Sequence, residues 1–326
     1  MIEPLMLKGA KTLVDTCAKV LPGEKVLIVT DYAKYRIAGV LASVMIERRI
    51  EPVISVMSPR ELDGQEPPGL IVKTMSEADV IFLPVSVSIS HSSAVKAALA
   101  NGARVIAMSA FTEEQMYKGG IEADFIKQKP LCDRFAAYFT ESDEVIVRSA
   151  AGTDFKASIK GREGNSHSGI ADKPGLFTAV VNIEANISPV ENTSQGTIVV
   201  DGSIPNFGIG VVGTPVVLRI EKGFITKIDG GREAKFLRDL LHRMDDPTVY
   251  NIAQIAVGLN PECRMLSGVM TNDHGAFGRV HFGIGTSTQL GGKVKAPIHF
   301  DVVLDSPTLE FDGKVVIEDG EVKATA

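Results

Sequence analysis

A change in the pattern of apolar residues near position 140 constrains the fold of this chain more than any other feature. Before it, helix-like segments alternate with short apolar runs such as KVLIVTD, EADVIFLPV and GARVIAMS. Runs that are apolar at successive positions are typical of strands buried on both faces of a parallel sheet. The first part of the chain is therefore predicted to be an α/β unit in which helices cover a parallel sheet.

Beyond the change, short segments such as EVIVRSA, GTIVVDGS and TPVVLRIEKGFITKIDGG alternate apolar with polar residues and have glycine at their turns. This period of two predicts antiparallel strands, and one helix is predicted from about 232 to 244. We expect a Rossmann-like α/β scaffold domain over 1–135 and an α+β domain with mainly antiparallel strands over 136–326. The boundary is expected between about 128 and 142.

Composition excludes several classes of protein. The net charge is −6, with 34 Lys and Arg against 40 Asp and Glu, so no basic surface is available for a nucleic acid. No GxGxxG or GxxxxGK[ST] motif marks a nucleotide domain. The three cysteines, Cys17, Cys132 and Cys263, form no CxxC pair and predict neither disulfides nor a thiolate zinc site. Without a signal-like or membrane-spanning segment, we expect a cytoplasmic protein with no membrane partner.

Histidines cluster in the last third of the chain. Of six in all, His274, His281 and His299 fall within 26 positions, together with Asp273 and Asp301. In the sequence His299-Phe300-Asp301, the two polar side chains lie on the same face of a strand because successive side chains alternate between faces. One imidazole and one carboxylate are thereby directed to a common point.

His281 is predicted to lie on a second strand, GRVHFGIG, in which Val280 and Phe282 face the other way. Pairing of the two strands would add its imidazole to His299 and Asp301. Two imidazoles and a carboxylate on one face form the ligand set of non-haem Fe(II) sites and also suit zinc or manganese. The alternative interpretation of the HxD pair is a hydrogen-bonded histidine with an orienting acid.

The remaining histidines have plainer interpretations. His274 is followed by glycine and is predicted to be an exposed turn residue. His167 in a polar loop and His242 near a helix end are predicted to be exposed in the same way.

Three further features are weaker candidates. His91 follows a predicted parallel strand, at the end where active sites commonly lie, although a helix cap at Ser92 or Ser93 explains the segment equally well. Glu184 is either a surface acid or an acid in a cleft. The glycine-rich segment GIGTSTQLGGKVKAP joins the two candidate ligand strands and is either a phosphate cradle or a flexible turn that carries two lysines.

Motifs spread over nearly the whole chain resemble two related enzyme families. The series runs from GTD at 152–154 through NIEANISPVENTSQGTIVVDGS, TKIDGG, VGLNP, GRVHFGIG, LGG and PIHFD to FDG at 311–313. In the first half, SHSSAVKAALANGARVIAMSAFTEEQM is similar to the N-terminal pattern of both families. The series resembles the aminopeptidase T metallopeptidases and the 2,5-dihydroxypyridine 5,6-dioxygenases, which share a fold. This resemblance implies a metal-dependent, homo-oligomeric enzyme whose metal-binding catalytic domain is 136–326.

The peptidase resemblance implies a site for two metals, in which His281, His299 and Asp301 match ligand positions. The glutamate that the peptidases have four residues before the glycine of GLNP is Gln254 here, an amide without charge. Two ions about 3.5–4 Å apart need several carboxylates. The second family acid falls at Asp273 or His274, and the family tyrosine falls near Thr288.

The dioxygenase resemblance implies one Fe(II) held by two histidines and an aspartate. His299 and Asp301 match the HxD part of that set, but the position of the remaining histidine is again Gln254. We expect His281 to substitute for it from the neighbouring strand.

Three functions follow from the sequence. The favoured one is an Fe(II)-dependent dioxygenase that opens a hydroxylated pyridine-like or aromatic ring, with His91 as an acid/base group and Glu184 as an orienting acid. The second is an aminopeptidase T-type hydrolase that uses zinc or cobalt. The third is a non-catalytic binding descendant. In the first two the partner is a small-molecule substrate.

Overall fold

The helices and strands follow the two patterns of the sequence in a computed structural model that describes residues 2–62 and 64–323. The α-helices are α1 (Glu3–Lys11), α2 (Tyr35–Glu47), α3 (Gly69–Met75), α4 (Ser93–Ala100), α5 (Phe125–Glu141), α6 (Arg232–Arg243) and α7 (Met270–Asp273). The strands are β1 (Val26–Asp31), β2 (Pro52–Met57), β3 (Val80–Leu83), β4 (Arg104–Ala107), β5 (Glu144–Ser149), β6 (Asp154–Ser158), β7 (Asn165–His167), β8 (Phe177–Ala179), β9 (Glu184–Ile187), β10 (Gln195–Val200), β11 (Ser203–Ile204), β12 (Gly210–Val211), β13 (Val216–Glu221), β14 (Phe224–Asp229), β15 (Ile252–Gly258), β16 (Val280–Gly285), β17 (His299–Leu304), β18 (Pro307–Phe311), β19 (Lys314–Glu318) and β20 (Glu321–Val322).

The first of two compact units comprises Met1–Lys129 and Gly169–Val181. It contains one sheet, here called sheet A, with the strand order β2-β1-β3-β4-β8, in which all paired strands are parallel. Every residue of β1, β3 and β4 is buried, as strands between two helical layers require. The parallel α/β fold predicted for this part of the chain is confirmed.

The division between the units differs in detail from the sequence-based boundary at 135/136. It falls at Pro130, inside α5, and residues 169–181 return to the first unit. They return because β8 pairs with β4 and extends the parallel sheet. With only three residues, β8 is too short to be recognised from local pattern as part of a distant sheet.

The second unit, Pro130–Ser168 and Asn182–Ala326, contains two antiparallel sheets. Sheet B has the order β14-β13-β10-β6-β5-β18-β19-β20, and sheet C has the order β12-β11-β17-β16-β15-β9-β7. The α+β character and the mainly antiparallel pairing predicted for this part are confirmed. The helix predicted from about 232 to 244 is α6.

Sheets B and C pack against each other through apolar side chains. Phe155 of β6 and Phe282 of β16 are fully buried, and their ring centroids lie 4.8 Å apart in an edge-to-face arrangement. Phe282 belongs to the face of β16 opposite His281, because neighbouring residues of a strand face opposite ways. One face of sheet C therefore forms the core with sheet B, and the other is available for a functional site. Within the described residues, no helix combines the length and apolar character needed to cross a bilayer.

Replacement of Phe282 by alanine is expected to lower the free energy of unfolding by about 3–5 kcal/mol, because it removes a buried ring and leaves a cavity. Urea denaturation measures the change. Phe236→Ala is the matched control, since Phe236 is partly exposed on α6, and its effect should stay below about 1 kcal/mol. Equal losses in the two variants would contradict the assignment of Phe282 to the core.

Candidate metal centre

The polar face of sheet C extends across four adjacent antiparallel strands. In β16 and β17, His281 is paired with Val303, and Gly283 with Asp301. Directly paired residues of antiparallel strands face the same side, so the rings of His281 and His299 lie on one face of the sheet. The pairing of β15 with β9 and β16 adds more polar side chains to this face, which holds Glu184 and Asn186 of β9, Gln254 of β15, His281 of β16, and His299 and Asp301 of β17.

Small residues between the polar ones leave room for the longer side chains. Gly283 is paired with both Gln254 and Asp301. A Cβ atom on Gly283 would lie 2.7 Å from the Cβ of Gln254 and 2.7 Å from Cε1 of His299. The imidazole of His299 therefore lies over the backbone of β16, at a place that only glycine leaves open.

A group of three potential ligands is formed by Glu184, His274 and His281. One ligand atom from each lies within 4.8 Å of the other two. Nε2 of His281 is 3.5 Å from Oε2 of Glu184, and the rings of His274 and His281 are stacked with centroids 4.6 Å apart. The prediction that His274 is an exposed turn residue is wrong: its side chain is only 13% exposed. It follows α7, which turns the ring toward the polar face.

Asp301 connects this group to His299. Its Oδ2 is 3.4 Å from Nε2 of His274, and its Oδ1 is 3.5 Å from Nε2 of His299. His299 donates a hydrogen bond from Nδ1 to the carbonyl of Thr286, 2.9 Å away, so the neutral ring has its lone pair on Nε2. With its side chain 29% exposed, His299 is the most accessible member of the centre.

Glu184 is surrounded by side-chain amides. Asn182 donates to its Oε2 at 2.6 Å, and Asn186 and Gln254 donate to its Oε1 at 2.7 and 3.4 Å. The sequence alone did not identify the two asparagines. The alternation in NIEAN contained the signal, since three polar residues at every second position between apolar ones predict one polar face.

Burial and charge shift the pKa values of the centre in opposite directions. Burial lowers the pKa of His281 to about 4, so this ring is neutral at pH 7. Burial alone would raise the pKa of Asp301 and of Glu184, but neighbouring histidines hold both below their usual range. Burial opposes the protonation of His299, but Asp301 outweighs it and the pKa is raised. The centre therefore has two carboxylates and at least one neutral imidazole.

The donor set fits a divalent metal ion. Buried ligand atoms of His274, His281 and Asp301 have no hydrogen-bond partner. Buried polar atoms are almost always paired, and the unpaired imidazole nitrogens beside a carboxylate oxygen form a donor set that a divalent cation would satisfy. Nitrogen and oxygen donors without thiolate suit Fe(II), manganese or zinc.

Two other residues from the sequence analysis lie elsewhere. The carboxylate of Asp273 accepts hydrogen bonds from the backbone of Ser267 and Gly268 and from the hydroxyl of Ser203 at 2.6–2.8 Å, so it holds the segment before His274 in place. His91 is exposed in the first unit, immediately before Ser92, whose hydroxyl caps α4. Its role as an acid/base group stays a prediction.

His167 occupies an unexpected position. It lies on β7, directly paired with Glu184, and it is half-buried rather than in an exposed loop. The polar face therefore continues to the edge strand of the sheet.

The fold of the chain is shared with two solved structures of low sequence identity. Wild-type AmpT from Thermus thermophilus shares the fold with a TM-score of 0.74 at 12% identity, over 100% of both chains. The structure of a 2,5-dihydroxypyridine dioxygenase from Pseudomonas putida KT2440 aligns with a TM-score of 0.83 at 24% identity, over 99% of this chain and 97% of that one.

The sequence comparisons specify the family. The pattern of the 2,5-dihydroxypyridine 5,6-dioxygenase family matches residues 14–324, and the chain belongs to that family. The curated 2,5-dihydroxypyridine 5,6-dioxygenase of Pseudomonas putida KT2440 is 35% identical over 187 residues. That match covers 55% of this chain and 53% of the relative, so it spans about half the length of each.

Acid is expected to destabilise the metal-free protein through His281. Its pKa is about 4 in the folded chain and about 6.5 in the unfolded one, so the unfolded state binds more protons between these values. The contribution of His281 to stability is lost as the pH falls from 6.5 toward 4. After EDTA treatment, the free energy of unfolding is measured by urea titration at pH 7 and at pH 4.5. Its decrease between these pH values should be about 2–3 kcal/mol smaller for His281→Gln than for the wild type. Exposed His242→Gln is the control, and parallel curves for wild type and His281→Gln would refute the shift.

Proposed function

We propose that this protein is a ring-opening dioxygenase that acts on a hydroxylated pyridine-like ring with a single Fe(II) ion. One observation carries the proposal: a chain of the dihydroxypyridine dioxygenase family has buried, unpaired imidazole and carboxylate atoms on one face of sheet C. The reaction class comes from the family, and the metal comes from the chemistry of the donors.

The proposed ligands are His281, His299 and Asp301, with His274 and Glu184 beside them. Two carboxylates balance the charge of one divalent ion, whereas two ions would leave a buried surplus of positive charge. Bound Fe(II) supplies the open coordination positions and the electron that the reaction of a hydroxylated ring with O2 requires.

The protein side chains have distinct tasks in this proposal. Glu184 is fixed as an anion by the amides of Asn182, Asn186 and Gln254, and it keeps a negative charge next to the imidazole of His281. The Nδ1 hydrogen bond of His299 to Thr286 leaves Nε2 unprotonated for the metal. Because His299 is the most exposed of these residues, we place the approach of the substrate on its side. His91 remains the proposed acid/base group.

Metal content is the direct test. Protein purified without added metal and under anaerobic conditions is expected to contain one iron per chain and to consume O2 with 2,5-dihydroxypyridine. His281→Ala and His299→Ala should each lose most of the iron, whereas exposed His242→Ala should retain it. Full iron content in both ligand variants would refute the site.

The same measurements distinguish the other two functions. Two ions per chain together with hydrolysis of aminoacyl anilides would identify an aminopeptidase. The likeness to aminopeptidase T is one of fold only. Absence of any bound metal would favour the third function, a non-catalytic binding descendant. The homo-oligomer implied by the resemblance stays a prediction, which light scattering checks.

Gly283→Ala is expected to weaken metal binding. The added methyl group would lie 2.7 Å from Cε1 of His299 and would displace that ring. We expect at least a tenfold loss of Zn(II) affinity by titration calorimetry, which corresponds to about 1.4 kcal/mol. Gly39→Ala on α2 is the control, because a Cβ atom there meets nothing within 4 Å. Unchanged affinity in Gly283→Ala would show that His299 is not a ligand.

A further inference from the structure

The segment from Thr286 to Ile298, here called the β16–β17 loop, folds back on itself. Ser287 N donates to the carbonyl of Val294 at 2.9 Å, and Gly292 N donates to the carbonyl of Ser287 at 3.0 Å. These bonds join the two arms of the loop and bring its tip, Gly291 to Lys293, over the hydroxyl of Ser287.

An ion pair outside the loop holds the tip. Arg162, which precedes β7, donates hydrogen bonds to the carbonyl of Gly291 and to the carboxylate of Glu191, which follows β9. The other oxygen of Glu191 accepts the backbone N–H of Lys293 at 2.8 Å. Because the Arg162 side chain is only 13% exposed, this pair is better shielded from water than an ordinary surface pair.

The tip also packs tightly against β9. A Cβ atom on Gly292 would lie 2.2 Å from the hydroxyl of Ser287 and 2.4 Å from that of Ser188, which follows directly after β9. Backbone and serine are thus in direct contact, and only glycine permits it. Two independent sets of contacts, one ionic and one steric, attach the tip to the chain segments that continue from β7 and β9.

The base of the same loop orients His299. The carbonyl of Thr286 accepts the Nδ1 proton of His299 at 2.9 Å, while Oδ1 of Asp301 lies 3.5 Å from Nε2. The two acceptors compete for one proton on the neutral ring. With Thr286 in place the proton is on Nδ1, and without it Asp301 would draw the proton to Nε2 and block the atom that binds metal.

We propose that Arg162 and Glu191 are positioning residues that hold the tip of the β16–β17 loop, so that the carbonyl of Thr286 keeps Nε2 of His299 available to the metal. The proposal rests on the role of His299 as a ligand in the proposed function. It extends the centre to an ion pair on the chain segments next to β7 and β9.

The tautomer of His299 is the primary readout because it requires no metal. In EDTA-treated protein at pH 9, long-range ¹⁵N–¹H NMR correlations, assigned with His299→Gln, should show the Nδ1-protonated ring in the wild type. Arg162→Met, which retains much of the apolar stem, should shift the ring toward the Nε2-protonated form. Gly292→Ala disrupts the packing of the tip against Ser287 and Ser188 and should give the same shift. This second variant allows the test even if Arg162→Met fails to fold.

Cobalt binding is the second readout. Both variants should bind Co(II) about tenfold more weakly than the wild type, with an altered visible spectrum. Lys160→Met is the matched control, because Lys160 lies two positions before Arg162 in the chain and forms an exposed ion pair with Asp143 instead. It should behave as the wild type in both experiments.

The outcomes separate the two proposals. Retention of the wild-type tautomer in the folded variants would overturn the positioning role, whatever their metal affinity. If the wild type binds no Co(II), the proposed metal site fails, and the tautomer comparison still decides whether the ion pair orients His299.

Discussion

The structure of the centre depends on the cost of placing charge in a buried environment. Removing a carboxylate from water costs several kcal/mol unless partners replace the solvent, and here there are two within one patch. Hydrogen bonds from three amides stabilise the negative charge of Glu184, and the neighbouring histidines stabilise that of Asp301. The same cost keeps His281 neutral. A neutral imidazole beside anionic oxygens, with atoms left unpaired, forms an arrangement that a cation would complete.

The same constraint bears on the two interpretations of the HxD pair. A core histidine with an orienting acid needs a short hydrogen bond, yet Nε2 of His299 and Oδ1 of Asp301 are 3.5 Å apart. The good hydrogen bond of the ring is instead on its other nitrogen, to the Thr286 carbonyl. Metal-binding histidines typically have this arrangement, in which the second nitrogen is fixed by a backbone carbonyl.

Sequence alternation is sufficient to predict the parts of the centre that lie on regular strands. Apolar Phe282 and Phe300 separate the two faces of β16 and β17, so a period of two assigns His281, His299 and Asp301 to the same polar face. The change from parallel to antiparallel sheets is predictable for the same reason. Strands buried on both faces are apolar at successive positions, whereas strands buried on one face alternate apolar with polar residues.

His274 shows where local pattern fails. Its ring reaches the centre from the segment after α7, and the direction of that segment depends on hydrogen bonds from Ser203, Ser267 and Gly268 to Asp273. Ser203 is 70 residues away from Asp273 in the chain, so no window around His274 contains the information. The strand β8 escaped prediction for the same reason: its partner is distant in sequence.

The neutral side chain of Gln254 relates the net charge of the centre to the number of metal ions that the centre could bind. Its amide nitrogen faces Oε1 of Glu184 at 3.4 Å, so a neutral donor occupies the place next to an anion. A carboxylate at 254 would put two like charges against each other in a buried site, and a second cation would then be needed to hold them. With glutamine there, the anion at Glu184 is stabilised by hydrogen bonds from three amides and by the neighbouring histidines, and one divalent ion would balance the charges of Glu184 and Asp301. The proposed single-ion centre and the glutamine at 254 are therefore two aspects of the same charge balance.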